Sequence, residues 1–561
     1  MKGNRGFGQP SPLYLKNMKK KLFLPLLISS LTMAMGLAAC NGGSSPASQQ
    51  AGGSSQQSGG QQDKKVLKAS IEKPILEIGK RTKVVTEVQG VSYRSSDEEI
   101  ATVDANGNIK AVEMGMAYIT VSKEGYFDRV LKFFVDEYET VDYLVEGLEI
   151  GPAIVGVKLN LDGLVKKSDL SKATFAVKTN GSNREIESVA LCNEEGEIVE
   201  GLEESHYIRF NLTYSTNSWG VNGGASCFTY ANNVNNWTAN IRAEVSLTAG
   251  ELITTEDTYN TSTHKLLINT IRSRIVLSTK DWGEAKSNTA DGQTLTYKAY
   301  ETDALREDGV KNPLIIWLHG MGEGGTDPDI ALLGNDVTEL GNPKIQSHFI
   351  KGQQKGAYVL AAQTPTMWMN SGTGSNNGGV GHSIYTKSLK ALIDKYIADN
   401  GDIDTNRIYV GGCSNGGYMT MEMAVTYGNF FRAFYPCCEA YSDSFLTDDD
   451  VAKLKDYPMW FIHAANDTTV DPSSFVLPTY QRLMRAGAKD IHLSYFTDVR
   501  GTEGNPAGNN YMGHYSWIYI FRDEVEFDQE DPENIKAPSD KAVKDAQGNT
   551  VNLFDWMESM K

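Results

Sequence analysis

Ser414 stands in Gly412-Cys413-Ser414-Asn415-Gly416, directly after the strand-like run Arg407-Ile408-Tyr409-Val410 and ahead of a helix-like stretch. A serine placed on a sharp strand-to-helix turn is presented for attack on an electrophile. Glycines on either side allow backbone angles and close approaches that a side chain would block. The competing reading of the same five residues is a glycine-rich turn whose serine merely caps the next helix. A serine hydroxyl is a poor nucleophile at neutral pH. It needs a base of pKa near about 6.5 within hydrogen-bond reach, held in the useful tautomer by a carboxylate. Both partners follow in the chain. Asp467 comes 53 residues later, behind the apolar run Met459-Trp460-Phe461-Ile462-His463. His514 comes 47 residues after that, and it is the last of the eight histidines. The chemistry these types and spacings suggest is acyl transfer through a covalent serine intermediate.

Such residues work only if strands and helices alternate so as to bring them together. Ile491-His492-Leu493-Ser494-Tyr495-Phe496 and Ala357-Tyr358-Val359-Leu360-Ala361 read as further strands, as does Pro313-Leu314-Ile315-Ile316-Trp317-Leu318. Leu389, Leu392, Ile393, Tyr396 and Ile397 recur at helical spacing and form one apolar face. Leu553, Phe554, Trp556 and Met557 suggest a short closing helix. Open sheets of this kind place working groups beyond the carboxyl ends of their strands, where Asp467 would lie. After Leu318 comes His319-Gly320-Met321-Gly322-Glu323-Gly324-Gly325, a loop whose backbone N–H groups could face an oxyanion.

Taken together these motifs, over residues 285–561, resemble the esterases of the α/β-hydrolase fold related to feruloyl esterases and polyhydroxybutyrate depolymerases, in particular those preceded by an immunoglobulin-like (Ig-like) domain. The resemblance implies ester hydrolysis by Ser414, Asp467 and His514, with the N–H groups of Met321 and Asn415 as oxyanion donors. The expected fold class is α/β, a mostly parallel sheet of the α/β-hydrolase type, preceded by two all-β Ig-like sandwich domains.

Other residues compete for these roles. Asp471 directly precedes Pro472, which suggests a helix N-cap with proline at the first helical position. Asp467 is preferred to it as the partner of His514. His319 and His463 end two strands and are expected to be structural. His206, His264, His348, His382 and His492 share no metal-ligand spacing, so no metal or cofactor is expected. Glu323 either orients the oxyanion loop or is a solvated loop residue. Trp368 either walls a substrate pocket or belongs to the core. The polar stretch from Arg500 to Pro506 either touches substrate or only connects.

The chain has 561 residues, too many for one core, and about three globular units are expected. Its formal net charge of −17 and the lack of a basic stripe beyond the N-terminus argue against a nucleic-acid partner. Lys19, Lys20 and Lys21 precede an apolar run from Leu22 to Leu31, and Leu37-Ala38-Ala39-Cys40 follows, which resembles a bacterial lipoprotein signal. Met18 is then the expected start. Lipid on Cys40 would hold the protein at the membrane of the bacterial cell envelope, facing outside the cytoplasm. Residues 41–65, rich in Gly, Ser and Gln, read as a flexible linker. Of the remaining cysteines, Cys192 and Cys227 could pair within one domain, and Cys413 is expected to point into the core.

Residues 66–138 alternate in short runs around Asn106-Gly107-Asn108 and look like a bacterial Ig-like domain of the second group. Residues 140–282 carry longer alternation, as in Ile208, Phe210, Leu212 and Tyr214, and resemble the Ig-like domain in front of some of these esterases. That domain is expected to pack against the hydrolase, with shaping of the cleft or polymer binding as alternatives. The leading function is an envelope-anchored serine carboxylesterase acting on acyl esters, including acetyl or feruloyl groups on polysaccharide. The alternatives are a serine peptidase of the prolyl-oligopeptidase kind, a polyhydroxyalkanoate depolymerase and a non-catalytic surface binding protein.

Overall fold

The apolar runs of the C-terminal half become neighbouring strands of one eight-stranded sheet. The computed structural model describes residues 65–560 apart from 77, 136–138, 374–381, 503–509 and 546. The proposed lipidation signal and Cys40, the linker and most of the Arg500–Pro506 stretch therefore lie outside the described residues.

In the C-terminal domain the strands are β1 (Lys286–Ala290), β2 (Gln293–Tyr300), β3 (Asn312–Leu318), β4 (Tyr358–Gln363), β5 (Ile403–Cys413), β6 (Ala433–Cys437), β7 (Met459–Ala464) and β8 (Ile491–Phe496). They lie in the order β1-β2-β4-β3-β5-β6-β7-β8. β2 runs antiparallel to β1 and β4, while β4, β3 and β5 to β8 are mutually parallel. Every residue of β3, β4, β6 and β7 is buried, which is why these segments read as unbroken apolar runs rather than alternating ones. The period of two survives inside the sheet. Leu314, Ile316 and Leu318 join the core on the face covered by α1 (Thr386–Asp399), α2 (Asn415–Tyr427) and α3 (Val476–Arg485), whereas Ile315 and Trp317 join the core on the other face, under α4 (Leu553–Ser559). Fully buried side chains such as Trp317, Trp460 and Tyr480 each contribute roughly 1.5–3 kcal/mol by leaving water.

Upstream lie two β-sandwiches. In the first, Ala69–Ile71, Arg81–Thr86, Asn108–Ala111 and Ala101–Val103 form one sheet, facing a second made of Ile75–Leu76, Arg129–Val135, Gly115–Ser122 and Ser92–Ser95. Gly107, at φ +78, takes the left-handed position of the expected hairpin. In the second sandwich the long strand Ala153–Lys166 pairs with Glu204–Leu212 and Thr140–Glu146, opposite a sheet built on Ala173–Thr179 and Ala243–Ile253. Ile208, Phe210 and Leu212 alternate into its core as expected, while Tyr214 lies beyond the strand. Cys192, Cys227, Cys413, Cys437 and Cys438 are all buried free thiols, so the conceivable Cys192–Cys227 bridge is not formed. Residues 62–561 form one compact unit, in which the second sandwich reaches the C-terminal domain through side-chain contacts.

Candidate active site

Ser414 caps α2 with φ +56 and ψ −113, a combination that residues with a side chain avoid. The neighbourhood over-determines it. The Ser414 N–H donates to the Cys437 carbonyl of β6 at 2.9 Å, and its own carbonyl accepts from Tyr418 N–H at 2.9 Å. Helix and sheet meet so closely that a Cβ on Gly416 would lie 1.9 Å from the Leu318 carbonyl oxygen, and one on Gly412 would lie 2.4 Å from the same atom. Backbone on both sides leaves no flexible group to yield. Gly416→Ala is therefore expected to cost about 3–5 kcal/mol, seen as a fall of roughly 10 °C in melting temperature or as loss of soluble protein.

Asp467 follows β7, buried, and its carboxylate is held from four directions. Oδ1 accepts from Thr469 N–H at 2.8 Å and Val470 N–H at 3.0 Å, and Oδ2 lies 2.7 Å from His514 Nδ1 and 3.2 Å from His463 Nε2. Burial alone would raise its pKa. The hydrogen bonds from His463 and His514 outweigh burial and keep the group well below the usual carboxylate range. His463 Nε2 also faces the Val470 carbonyl at 3.0 Å, an acceptor only, so this nitrogen carries the proton. His463 thus braces the turn that carries Asp467, a role beyond the structural one expected from its place at the end of a strand. Asp471 is exposed and accepts from Ser473 N–H at 3.0 Å and from the hydroxyls of Ser473 and Ser474. It caps a turn rather than a helix, because α3 begins only at Val476.

The loop after β3 tightens into a short 3₁₀ turn, Met321–Glu323, that lies on the elbow: a Cβ on Gly320 would be 3.5 Å from Cys413 Sγ. Met321 and Asn415 each stand at the first position of a helical turn, directly after Gly320 and Ser414. The Asn415 side chain is tied down, its Oδ1 accepting from Met369 N–H at 3.2 Å. His319 receives the Thr364 N–H on Nε2 at 3.1 Å, and burial pushes its imidazole down to about 4, so it stays neutral. The Cys413 thiol, raised by burial, points to Asn335 Oδ1 at 3.4 Å. Trp368 is wholly buried, 5.2 Å from the His319 ring and 6.2 Å from Tyr385, and is a core side chain rather than a pocket wall. Among the described residues no cluster of three His, Cys, Asp or Glu side chains could hold a metal ion.

Glu323 is not a solvated loop residue: it is 4% exposed, and its Oε1 accepts from Asn235 Nδ2 at 2.9 Å. Asn235 belongs to the second sandwich. Its hairpin also donates from Trp237 Nε1 to Asp327 Oδ2 at 2.8 Å, while Gln363 Nε2 donates to the Glu323 carbonyl at 2.9 Å. On the opposite side, Glu149 of that sandwich accepts from Thr502 N–H and Tyr511 Oη–H, both at 2.7 Å, in the segment leading to His514. No sequence motif signals these partners. Burial pushes the Glu323 carboxyl from its ordinary 4.5 up to about 7, against the pull of the Asn235 bond. The fold therefore favours the protonated form. Stability is expected to fall as pH rises from about 4.5 to about 7 by roughly 3 kcal/mol and to level off beyond. The wild-type minus Glu323→Gln difference in unfolding free energy, measured across that range, should show this slope.

Residues 305–501 match the phospholipase/carboxylesterase family, and residues 65–131 match the bacterial Ig-like domain of group 2. A probable carboxylesterase SOBER1-like of Arabidopsis thaliana is 25% identical over 181 residues, which are 30% of this chain and 66% of the plant protein, just under two thirds of its length. The crystal structure of a thermostable esterase superposes with a TM-score of 0.55 at 20% identity, over 68% of this chain and 96% of its own. That span is longer than the C-terminal domain, so the shared architecture reaches upstream of it. A ferulic acid esterase matches with a TM-score of only 0.31 at 12% identity, over 43% of this chain and 93% of its own, too loosely to bear on substrate. The fold is an α/β-hydrolase preceded by Ig-like β-structure, and the C-terminal domain is similar in sequence to carboxylesterases.

Proposed function

We propose that the chain is a serine carboxylesterase working through an acyl-enzyme on Ser414, with His514 as base and acid, Asp467 as its orienting carboxylate and the N–H groups of Met321 and Asn415 as oxyanion donors. The observation that carries this reading is the buried 2.7 Å contact between Asp467 Oδ2 and His514 Nδ1, made beyond the carboxyl end of the sheet that presents Ser414 on its strained turn. With Nδ1 engaged, Nε2 is the nitrogen left to take the Ser414 proton as Oγ attacks the acyl carbon. Asp467 stays ionised and stabilises the imidazolium. Each backbone donor to the tetrahedral oxyanion is worth roughly 10²- to 10³-fold. Collapse of that adduct breaks the bond to the alcohol, whose oxygen takes the proton from Nε2. Water then gives a proton to Nε2, attacks the acyl carbon and releases the acid and Ser414.

Among the described residues the upstream sheets form sandwiches without the repeated blades of a propeller, which favours the ester reading over a peptidase of the prolyl-oligopeptidase kind. An active-site phosphonate should label one serine, within the peptide that contains Ser414, and the protein should turn over acyl esters but not prolyl peptides. Labelling that persists in Ser414→Ala, or peptide turnover without ester turnover, defeats the proposal. Anchoring at the cell envelope through lipid on Cys40 completes the reading. It is supported by Lys19 to Lys21, the apolar run after them and Leu37-Ala38-Ala39-Cys40. Cys40→Ala should move the protein from the membrane fraction to the soluble one.

A further inference from the structure

From Phe210 to Ile241 the chain carries no Asp, Glu, Lys or Arg, where its 22% charged content would place about seven. The stretch is instead rich in asparagine, glycine and aromatic residues. It folds into two hairpins of the second sandwich. Thr216–Asn217 pairs with Gly220–Val221, the turn being held by Trp219 N–H donating to Asn217 Oδ1 at 2.8 Å. Phe228–Ala231 pairs with Val234–Trp237 across Asn232 and Asn233, both at positive φ as a tight two-residue hairpin turn requires.

Each hairpin touches one wall of the candidate site. The Ser218 carbonyl accepts from Met512 N–H at 3.3 Å, two residues before His514. On the second hairpin the cross-strand pairs Tyr230–Asn235 and Phe228–Trp237 share a face. That face meets the oxyanion loop: Asn235 reaches Glu323, and the Tyr230 ring lies 3.6 Å from where a Cβ on Gly322 would stand. Tyr230 is also within electrostatic reach of Tyr515, the neighbour of His514. Among the described residues, Trp219 at 70% and Tyr230 at 64% are the two most exposed large apolar side chains.

We infer that the second sandwich completes the active site, with Trp219 and Tyr230 forming a subsite that holds a neutral saccharide as the alcohol part of the ester. The inference rests on the carboxylesterase reading. In that reaction His514 hands its proton to the departing alcohol, so the alcohol lies on the side of the loop that carries Met512 and His514. Two exposed rings among amides, with no charge on the chain for over thirty residues, suit a ring that offers C–H faces to aromatics and hydroxyls to Asn217 and Asn233. The hairpins themselves offer no charge to a charged alcohol, and Arg274 beside Trp237 is already engaged with that ring and with Asp327. A long acyl chain would meet amides where it needs a continuous apolar groove.

The test compares 4-nitrophenyl acetate with acetylated xylo-oligosaccharide, which share their acyl group, using the full chain. Trp219→Ala and Tyr230→Ala should each lower the ratio of kcat/KM for the saccharide ester to that for the small ester about tenfold, chiefly through KM, and the double variant about a hundredfold. Ile198→Ala, at another exposed apolar position of the same sandwich, should leave the ratio at its wild-type value. An unchanged ratio in the aromatic variants, including equal loss on both esters, overturns the subsite. A second readout needs no hydrolysis: tryptophan fluorescence of Ser414→Ala titrated with xylo-, cello- and manno-oligosaccharides. Saturable binding that Tyr230→Ala weakens about tenfold upholds the subsite, and no binding to any of them overturns it. If the wild type binds saccharide but hydrolyses no ester, the carboxylesterase reading falls and the binding site stands.

Discussion

Ser414→Ala is expected to lower kcat for a short-chain acyl ester by about 10⁴- to 10⁶-fold while leaving KM within about threefold of wild type. The reason is specific to the position. Ser414 bonds through its backbone to Cys437 and Tyr418, and alanine keeps both bonds. Alanine also tolerates φ +56 no worse than serine does, so the elbow and both proposed oxyanion donors stay in place. Only the proposed nucleophile is lost. The activity that remains comes from positioning and oxyanion stabilisation of attack by water. An unchanged melting temperature beside the collapse in kcat would confirm that chemistry alone was removed. A loss of less than about tenfold would mean that another group attacks the acyl carbon.

Asp467→Asn is expected to cost about 10⁴-fold in kcat, although it removes neither nucleophile nor base. Asparagine can keep its Oδ1 acceptor toward Thr469 and Val470 N–H, so the turn after β7 persists. What changes is the partner of His514 Nδ1. An amide nitrogen in place of Oδ2 would favour the tautomer with its proton on Nε2, the atom that must accept from Ser414, and would leave the imidazolium without a counter-charge. Asp471→Asn should stay within about twofold of wild type, because Asp471 is exposed and bonded only within its own turn. Equal losses in the two variants would undo the assignment of Asp467. Stability supplies a second readout. The folded pKa of Asp467 is depressed, so the stabilisation it confers is present above the ordinary carboxylate pKa and is lost as pH falls through the folded value. The wild-type minus Asp467→Asn difference in unfolding free energy should therefore shrink towards low pH.

Much of the C-terminal domain was legible in the chain because its signals are local. Ile491–Phe496 is a strand over the very span that its residues suggest, and the face of Leu389, Leu392, Ile393 and Tyr396 is the buried face of α1. Other outcomes depended on context that local pattern does not carry. Asp471 before Pro472 has the form of a helix start, yet the helix waits until Val476, because the three serine and backbone bonds to Asp471 close a separate turn. Trp368 follows a strand at a distance that would suit a pocket wall, but the rings of His319 and Tyr385 enclose it.

The order of serine, aspartate and histidine, the glycines of the elbow and the alternation of buried strands were determined by the sequence itself, since each depends on neighbours within a few residues and on sterics that residue type dictates. Only the tertiary structure decided that Glu323 is buried, that Asn235 holds it from another domain 88 positions away, and that Glu149 is bonded to Thr502 across 353 residues. It also decided that an uncharged run without any motif, from Phe210 to Ile241, lies beside the loop after β3 and the segment leading to His514. The physical reason is that backbone conformation and period are written in local steric and hydrophobic preferences. Hydrogen bonds between distant segments are chosen only once packing of the whole chain has excluded water and brought those segments together.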